Sequence, residues 1–580
     1  MSGITTALQI AQNTLQTTQS LLDISANNVS NAGNTNYAVE SGVVSSNPAI
    51  LANGNWYGTG ATLQQVVQTR DSSIEQSLAG SNGQVAQYTT LSNQLSGVNA
   101  YMADSGTNGI SSLLGNYWNS WDQLSQDSGS AQQAGVYAAA QNLAQGITDL
   151  HTNLTTQASS IVSQVGQTVT SANSLLTQIS QYNDQISNQQ TQNSTPNTLY
   201  DQRYQALQSL SKLIGINYSL QSNGTMNVSL AGSSTNLITG SPPTMQKLEM
   251  NQAGDGTFTI TAGGTQVGAY VNTVPGSTAT GNLQVQLNSG GSGQLQGLMQ
   301  SLSSVTNYSS QLDTFKNALA SQVNAAYTSG KATTQAVFNV NGDTATTQSA
   351  TIAVADTNTA LGAGAGDYLE INGKATAAFT AATTLQQVAT SINALDTGAS
   401  PTGVTASIAQ TSGGYGLVLT NDAAGATPIN LGGSKITNGV PLFSTDASGN
   451  AKTVIAPDSA NNKAYLQLDP NFTSSSVDGT QALTMANLQN SSIPELGGSQ
   501  FGEYWTGMQQ QLGTDGENAT NQLNFSTAMQ QQVQTQQQSV SGVSIDQEMM
   551  SIMKDQQIYQ AAGELVQTTN TMMSNLLSAV

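Results

Sequence analysis

"ITTALQIAQNTLQTTQSLLDISANNVSNAGNTNYAVES" (4–41) starts as an apolar-periodic segment and ends in a run of Asn, Ser, Gly and Thr. Leu8, Leu15, Leu22 and Val29 recur every seven residues; Ile4 and Ala11 fill the position between, and Thr18 and Ser25 continue it more weakly. A seven-residue repeat keeps one stripe facing a partner helix in a left-handed supercoil. The other end carries the same pattern in Ile545, Ile552, Tyr559, Val566 and Met573. Met549 and Leu577 sit at the complementary position there, a stripe weakened by Gln556, Gly563 and Asn570. Ser544 is placed to cap this last helix, with Glu548 in its first turn. Isolated helices this short are marginal in water. The spacing therefore predicts two coiled-coil helices that pair with each other and with further copies of the chain, folding as they are buried.

The composition narrows the function classes. The chain has 580 residues, of which only 7% are charged, where about a quarter is usual. Gln, Asn, Ser and Thr take the place of charge. Net charge is −20, and the 11 basic residues are dispersed; nucleic acid needs clustered Lys and Arg, and an anionic membrane surface is disfavoured on the same ground. There is no cysteine, which removes disulfides, thiol catalysis and Cys-based metal sites. No basic residue precedes Arg70, so the start does not read as a Sec signal. No stretch approaches the roughly 18 apolar residues of a membrane span. The low charge is consistent with an acidic exterior, where a basic surface would repel itself.

Between the ends, residues 131–190 read as one long helix, with Leu143, Ile147, Leu150, Leu154, Ile161, Val165, Val169, Leu176 and Ile179 at three- and four-residue spacing. Residues 216–290 alternate short apolar runs with turns, and Asp255-Gly256 before "TFTI" is a hairpin signal. Residues 340–495 are dense in Gly, Thr and Ala; "DYLEINGKATAAFTAATTLQQVATSINALDTGASPTGVTASI" (367–408) reads as hairpin, helix 383–395 and strand. A Gln-rich helix follows over 500–540. The expected fold is α+β and multidomain, a long-helix trunk with paired terminal coiled-coil helices and inserted β-rich domains. The expected division is 1–40 with 543–580 as the terminal unit; 41–215 with 291–335 and 496–542 as the trunk; and 216–290 and 336–495 as β-rich insertions. Both insertions are expected at the pole opposite the termini.

Tests for chemistry fail. His151 is the single histidine and lies inside the long helix, without the nucleophile a triad needs. "STDASGNA" (444–451) lacks the alternating acids and distal Glu of a calcium loop; it reads as a turn, as does "NVNGDTA" (339–345). "NSGGSGQLQG" (288–297) has no Lys at the phosphate-loop spacing. No pair among 31 acidic residues is singled out. No catalytic, cofactor-binding or metal residue is assigned.

"LLDISANNVSNAGNTNYAVES" (21–41) resembles the amino-terminal signature of flagellar rod, hook and hook-associated axial proteins, in which a helix runs into an Asn-rich turn. Asn27, Asn28, Asn31 and Tyr37 match it. Asn36 and Val39 stand where that family has Gly and often Arg; Asn tolerates the left-handed conformation, but the Arg salt contact is lost. "GTGATLQQVVQTRDSSIEQSL" (58–78) is similar to the segment that follows in those proteins, with Arg70 and Asp71 matching. "NTLYDQRYQALQSLSKLIGI" (197–216), with Asp201, Gln202 and Arg203, resembles the hook-associated members at the first hook–filament junction, and so do Leu312, Asp313, Leu319, Ala320, Val323 and Asn324. Flagellin and hook-associated insertions include a short module similar to 367–408, with Ile371-Asn372-Gly373 and Gly403-Val404 as landmarks. The resemblance implies a non-enzymatic structural subunit, without cofactor, in the first junction layer between hook and filament. It would be exported by the flagellar type III route without a cleaved signal and reside outside the cell in the flagellum. The implied partners are further copies in a ring-like layer, the hook protein, the second junction protein (hook-associated protein 3) and an export chaperone covering Ile552–Met573. Alternatives are a hook or distal-rod protein and, of another class, a secreted adhesin or surface-layer protein.

Overall fold

The computed structural model describes residues 2–578 except 53–54, 105, 191–194, 234, 241, 253–257, 271–285, 288–290, 329–336, 342–346, 350–359, 362–367, 372–373, 396–401, 403, 412–413, 422–464, 469–471 and 473–476. Helix α1 (Ser2–Ser30) passes through the Asn-rich turn into strand β1 (Glu40–Ser46), a small hairpin of β2 (Ile50–Ala52) and β3 (Asn55–Tyr57), and β4 (Ala61–Gln68), which returns antiparallel to β1. The trunk comprises α2 (Ser72–Met102), α3 (Ile110–Gln126), α4 (Ser130–Gln190), α5 (Asn197–Leu213) and α6 (Gln294–Thr328). After α7 (Leu385–Leu395) and α8 (Gly479–Asn487), the chain returns through α9 (Phe501–Ser541), packed along α2, and ends in α10 (Ile545–Ser578), packed along α1.

Helix α4 is the longest element among the described residues. At about 1.5 Å per residue its 61 residues span roughly 90 Å. Val136, Ala140, Leu143, Ile147, Leu150 and Leu154 are buried, and the stripe continues from Ile161 to Ile186. Two successive four-residue steps, Thr168 to Ala172 to Leu176, rotate the stripe, and strand residues Met245 and Leu248 meet α4 there.

Those strands belong to two four-stranded antiparallel sheets covering Ile216–Met245 and Leu248–Leu287. Phe258, Ile260 and Ala262 alternate inward and are buried in the same core as the trunk helices. This corrects the expected placement at the far pole. The Gly224 carbonyl accepts from Arg203 of α5, and Asn217 accepts from Gln76 at the start of α2, so the first sheet lies beside the helix ends nearest the termini, while the second meets the middle of α4 at Gly166 and Asn173. The reason is the apolar stripe of α4, which runs almost to its end and needs cover throughout. Asp255-Gly256 lies outside the described residues.

The second insertion leaves the trunk through the pair Phe338–Asn341 and Tyr465–Leu468. Its root is an aromatic cluster in which Tyr117 meets Phe338 and Trp121 meets Phe472. Beyond it a separate core forms from Ile371, Phe379, Leu385, Val388, Ile392, Val404, Leu417 and Leu419. Asn372, Gly373, Gly403, 288–290, 342–346 and "STDASGNA" lie outside the described residues. Helix α8, expected within the insertion, instead packs on α3, because Ala482 and Met485 give it one apolar face to bury.

Asparagine has a recurring role in the helix–strand joints. Asn28, Asn173, Asn183, Asn324 and Asn393 each accept from the backbone N–H and donate to the carbonyl of one extended residue, respectively Glu40, Leu248, Met226, Phe338 and Ala406. A primary amide carries donor and acceptor side by side, so it completes an exposed strand edge as another strand would. Amide pairs also connect trunk helices: Gln530 donates to Asn82, which donates to Gln208, while Gln94 links to Gln164 and Gln157.

A candidate assembly interface at the paired ends

Helices α1 and α10 lie antiparallel, because the end of α1 meets the start of α10: Asn28 Nδ2 donates to Glu548 Oε1 at 3.0 Å. On α1, Leu8, Leu15, Leu22 and Val29 are half-buried, with Ala11, Thr18 and Ser25 buried beside them. On α10, Ile552, Val566 and Met573 are half-buried, while Ile545 and Tyr559 stay exposed within one copy. The companion stripe differs from the one expected. It is Glu548, Asp555, Ala562 and Thr569, each one residue before Met549, Gln556, Gly563 and Asn570. Either flank satisfies alternating three- and four-residue steps; the small Ala562 and Thr569 give the flank that α1 approaches.

A second face of α1 lies against the strands. Asn13 and Thr17 donate to the carbonyls of Thr59 and Ala61 at 3.3 and 3.2 Å. Leu21 and Ile24 close over Gly42 so tightly that an added Cβ would lie 2.5 Å from Leu21. α1 is thus held between α10 and the β1–β4 ribbon.

The Asn-rich turn is a hydrogen-bonded joint. Asn28, 1% exposed, accepts from the Tyr37 hydroxyl at 2.7 Å and the Glu40 N–H at 3.0 Å, and donates to the Glu40 carbonyl at 2.9 Å. Asn27 donates to Tyr37 Oη and Glu40 Oε2, and Asn31 donates back to the Asn27 carbonyl. The Val39 N–H bonds to the Ser541 carbonyl, and the Val39 carbonyl accepts from Thr69. One residue therefore joins the end of α9 to the end of β4. Asn36, standing where Gly was expected, lends its carbonyl to Arg70 Nη2 at 2.9 Å.

Arg70 ties that joint to the trunk. Its guanidinium donates to Glu75 Oε1 at 2.7 Å and Asp201 Oδ1 at 2.5 Å, and lies 4.4 Å from the Tyr204 ring centroid. Burial raises the Glu75 and Asp201 carboxyls above their ordinary range, and Arg70 opposes that shift. Asp71 caps α2 by accepting from the N–H groups of Ser73 and Ile74. Arg203 is buried and bonds Asn183 Oδ1 and the Gly224 carbonyl; burial lowers its pKa to about 10. Gln202 is exposed on α5. The fold thus gathers Asn27, Asn28, Asn31, Tyr37, Arg70, Asp71 and Asp201 around one joint and sets Arg203 one turn behind it. Sequence reasoning missed Glu40, Glu75 and Tyr204 as members. Glu75, five residues after Arg70 and buried, was the most accessible signal.

Elsewhere, His151 Nε2 lies 3.5 Å from Asp313, which accepts from Lys316 at 2.7 Å. Among the described residues no group of three or more His, Asp or Glu side chains could hold a metal, and no helix is long and apolar enough to cross a membrane.

Residues 95–343 match the family model "Flagellar hook-associated protein FlgK helical domain". The chain is 25% identical over 597 residues to flagellar hook-associated protein 1 of Salmonella typhimurium, covering 98% of each chain. It is 23% identical over 585 residues to the protein of that name from Escherichia coli K12, again covering 98% of each. Among solved structures, the flagellar hook junction protein FlgK from Burkholderia pseudomallei aligns with a TM-score of 0.49 at 19% identity, covering 80% of this chain and all of that one.

Proposed function

We propose that the chain is a member of the flagellar hook-associated protein 1 family, a structural component of the bacterial flagellum at the hook–filament junction, and that its copies form a ring-like layer there. On this reading the layer rests on the hook protein and receives the second junction protein, hook-associated protein 3. The observation that carries it is the antiparallel α1–α10 pair, whose outer surface keeps Ile545, Met549, Met553, Ile558, Leu565 and Met572 exposed. Ile545, Met549 and Met553 flank the α1-facing stripe on one side and Ile558, Leu565 and Met572 on the other, and exposed apolar rows of this kind mark protein contacts. The bonds at Asn28 and Arg70 would fix the angle at which the terminal pair leaves the trunk. The terminal unit, trunk and two β-rich regions are proposed as the working divisions, with Leu8, Leu15, Leu22, Val29, Ile545, Ile552, Tyr559, Val566 and Met573 as contact residues. Export would follow the flagellar type III route to the cell exterior, with a chaperone covering Ile552–Met573 beforehand. The role is structural, without enzymatic activity.

Gene deletion in the source organism tests this reading. Hooks without filaments, and flagellin shed into the medium, are expected. Intact filaments would refute the junction role; loss of the hook would point to a hook or rod protein.

A further inference from the structure

Among the described residues, little covers the apolar side chains of the β2–β3 hairpin. Its cross-strand pairs are Ile50 with Tyr57 and Leu51 with Trp56, and paired residues project from the same face while successive pairs alternate. Both faces are therefore apolar, and all four side chains are exposed, Trp56 at 71%. A two-stranded hairpin is marginal in water without a third layer. From Ser41 to Thr69 there is no charged residue, so burying this surface desolvates no ion.

A second bare patch lies at the start of α10. Ile545, Met549, Met550 and Met553 are exposed at between 46% and 58%. Ile545, Met549 and Met553 are four residues apart and so share a helix face. Methionine adapts to irregular partners and contacts aromatic rings favourably. The two patches do not meet within one copy. The hairpin base is fixed to α1 at Asn13 and Thr17, where Gly60 (φ +90°) brings the backbone within 3.6 Å of Ile10 for an added Cβ. The methionine patch is fixed beside Asn28. At about 1.5 Å per residue, these anchor points lie roughly 20 Å apart along α1.

We propose that the β2–β3 hairpin of one copy docks, through Leu51 and Trp56, on the Ile545–Met549–Met553 face of α10 in the adjacent copy. The inference rests on the layer proposed above and specifies its subunit contact. Donor and acceptor recur in every copy at different places, so the contact is heterologous and repeats from copy to copy, as a ring or helical layer requires. It also joins two uncovered apolar surfaces without burying a charged side chain of the hairpin.

The absence of native cysteine makes the contact testable by disulfide formation. Trp56→Cys and Met549→Cys, both at exposed sites, are expressed separately and together as the only source of the chain in flagellated cells of the source organism. Washed flagella are then oxidised with copper phenanthroline, which bridges only side chains brought close together. A disulfide-linked dimer is expected when the two variants are co-expressed and in neither alone, and a ladder is expected from the double variant. If the chain is in the washed flagella but these bridges do not form, the contact is overturned while the junction role stands. Bridging of Trp56→Cys to itself or to a different protein also overturns it. A chain missing from washed flagella overturns the junction role and the contact together.

Discussion

Replacing Asn28 with alanine removes the centre of the joint at the end of α1. The side chain makes four hydrogen bonds, at 2.7, 2.9, 3.0 and 3.0 Å, to Tyr37, both backbone groups of Glu40, and Glu548. A neutral hydrogen bond contributes about 1 kcal/mol net and one to a charged group about 2, so the sum is roughly 5 kcal/mol. Water entering the alanine cavity can recover part of this, leaving an expected local loss of about 3–4 kcal/mol. The trunk has its own core, so the effect should be confined to the joint and the helices it fastens, and a single global unfolding energy is not the right measure. Hydrogen exchange read by peptide mass reports local opening directly. Peptides covering 22–45 and 541–556 should exchange about 100- to 1,000-fold faster, by the conversion of 1.4 kcal/mol per factor of ten, while peptides from α4 should not change. Gln9→Ala, which removes one exposed bond to Asn13, serves as the control. Protection within tenfold of the parent across the joint, or an equal loss in α4, would refute the assignment of Asn28 as its fastening.

Two further outcomes follow from particular contacts. Gly297 in α6 faces α2 so closely that an added Cβ would lie 2.4 Å from the Gln87 carbonyl oxygen. Gly297→Ala should therefore destabilise the trunk by about 1–3 kcal/mol despite alanine's better helix propensity, and a raised thermal midpoint would contradict that packing. Glu75, Asp201 and Asp555 all have carboxyl pKa values raised by burial, opposed in the first two by Arg70 and in the third by Lys554. The folded chain then takes up these protons before the unfolded chain does. Their contribution to stability should increase as pH falls from neutrality toward the ordinary carboxylate range, and melting followed by circular dichroism should show a midpoint that holds or rises. A midpoint that drops over that interval would show that these groups are not governed by desolvation.

The linear order of residues was enough to determine the helical trunk and a helix at each end. Apolar side chains at three- and four-residue spacing admit few alternatives to a helix, and α4 appears at Ser130–Gln190 where that spacing runs from 131 to 190. The Asn-rich turn and the Arg-Asp segment were legible too, through short motifs whose residues act on their own neighbourhood, as Asp71 does in capping α2. Tertiary structure alone decided which flank of α10 faces α1. Met549 and Glu548 are equally compatible with the seven-residue row, and only the partner's position distinguishes them. It also decided what the asparagines do. Asn173 and Leu248, or Asn28 and Glu548, are remote in sequence, and an amide able to complete any exposed strand edge gives no sign of which edge it will meet. The placement of the 216–270 sheets depended in the same way on a demand no local pattern records. The apolar stripe of α4 outruns its helical partners, and the nearest apolar strand faces in the chain fold back to cover it, because exposed apolar surface on one element is relieved only by another brought beside it.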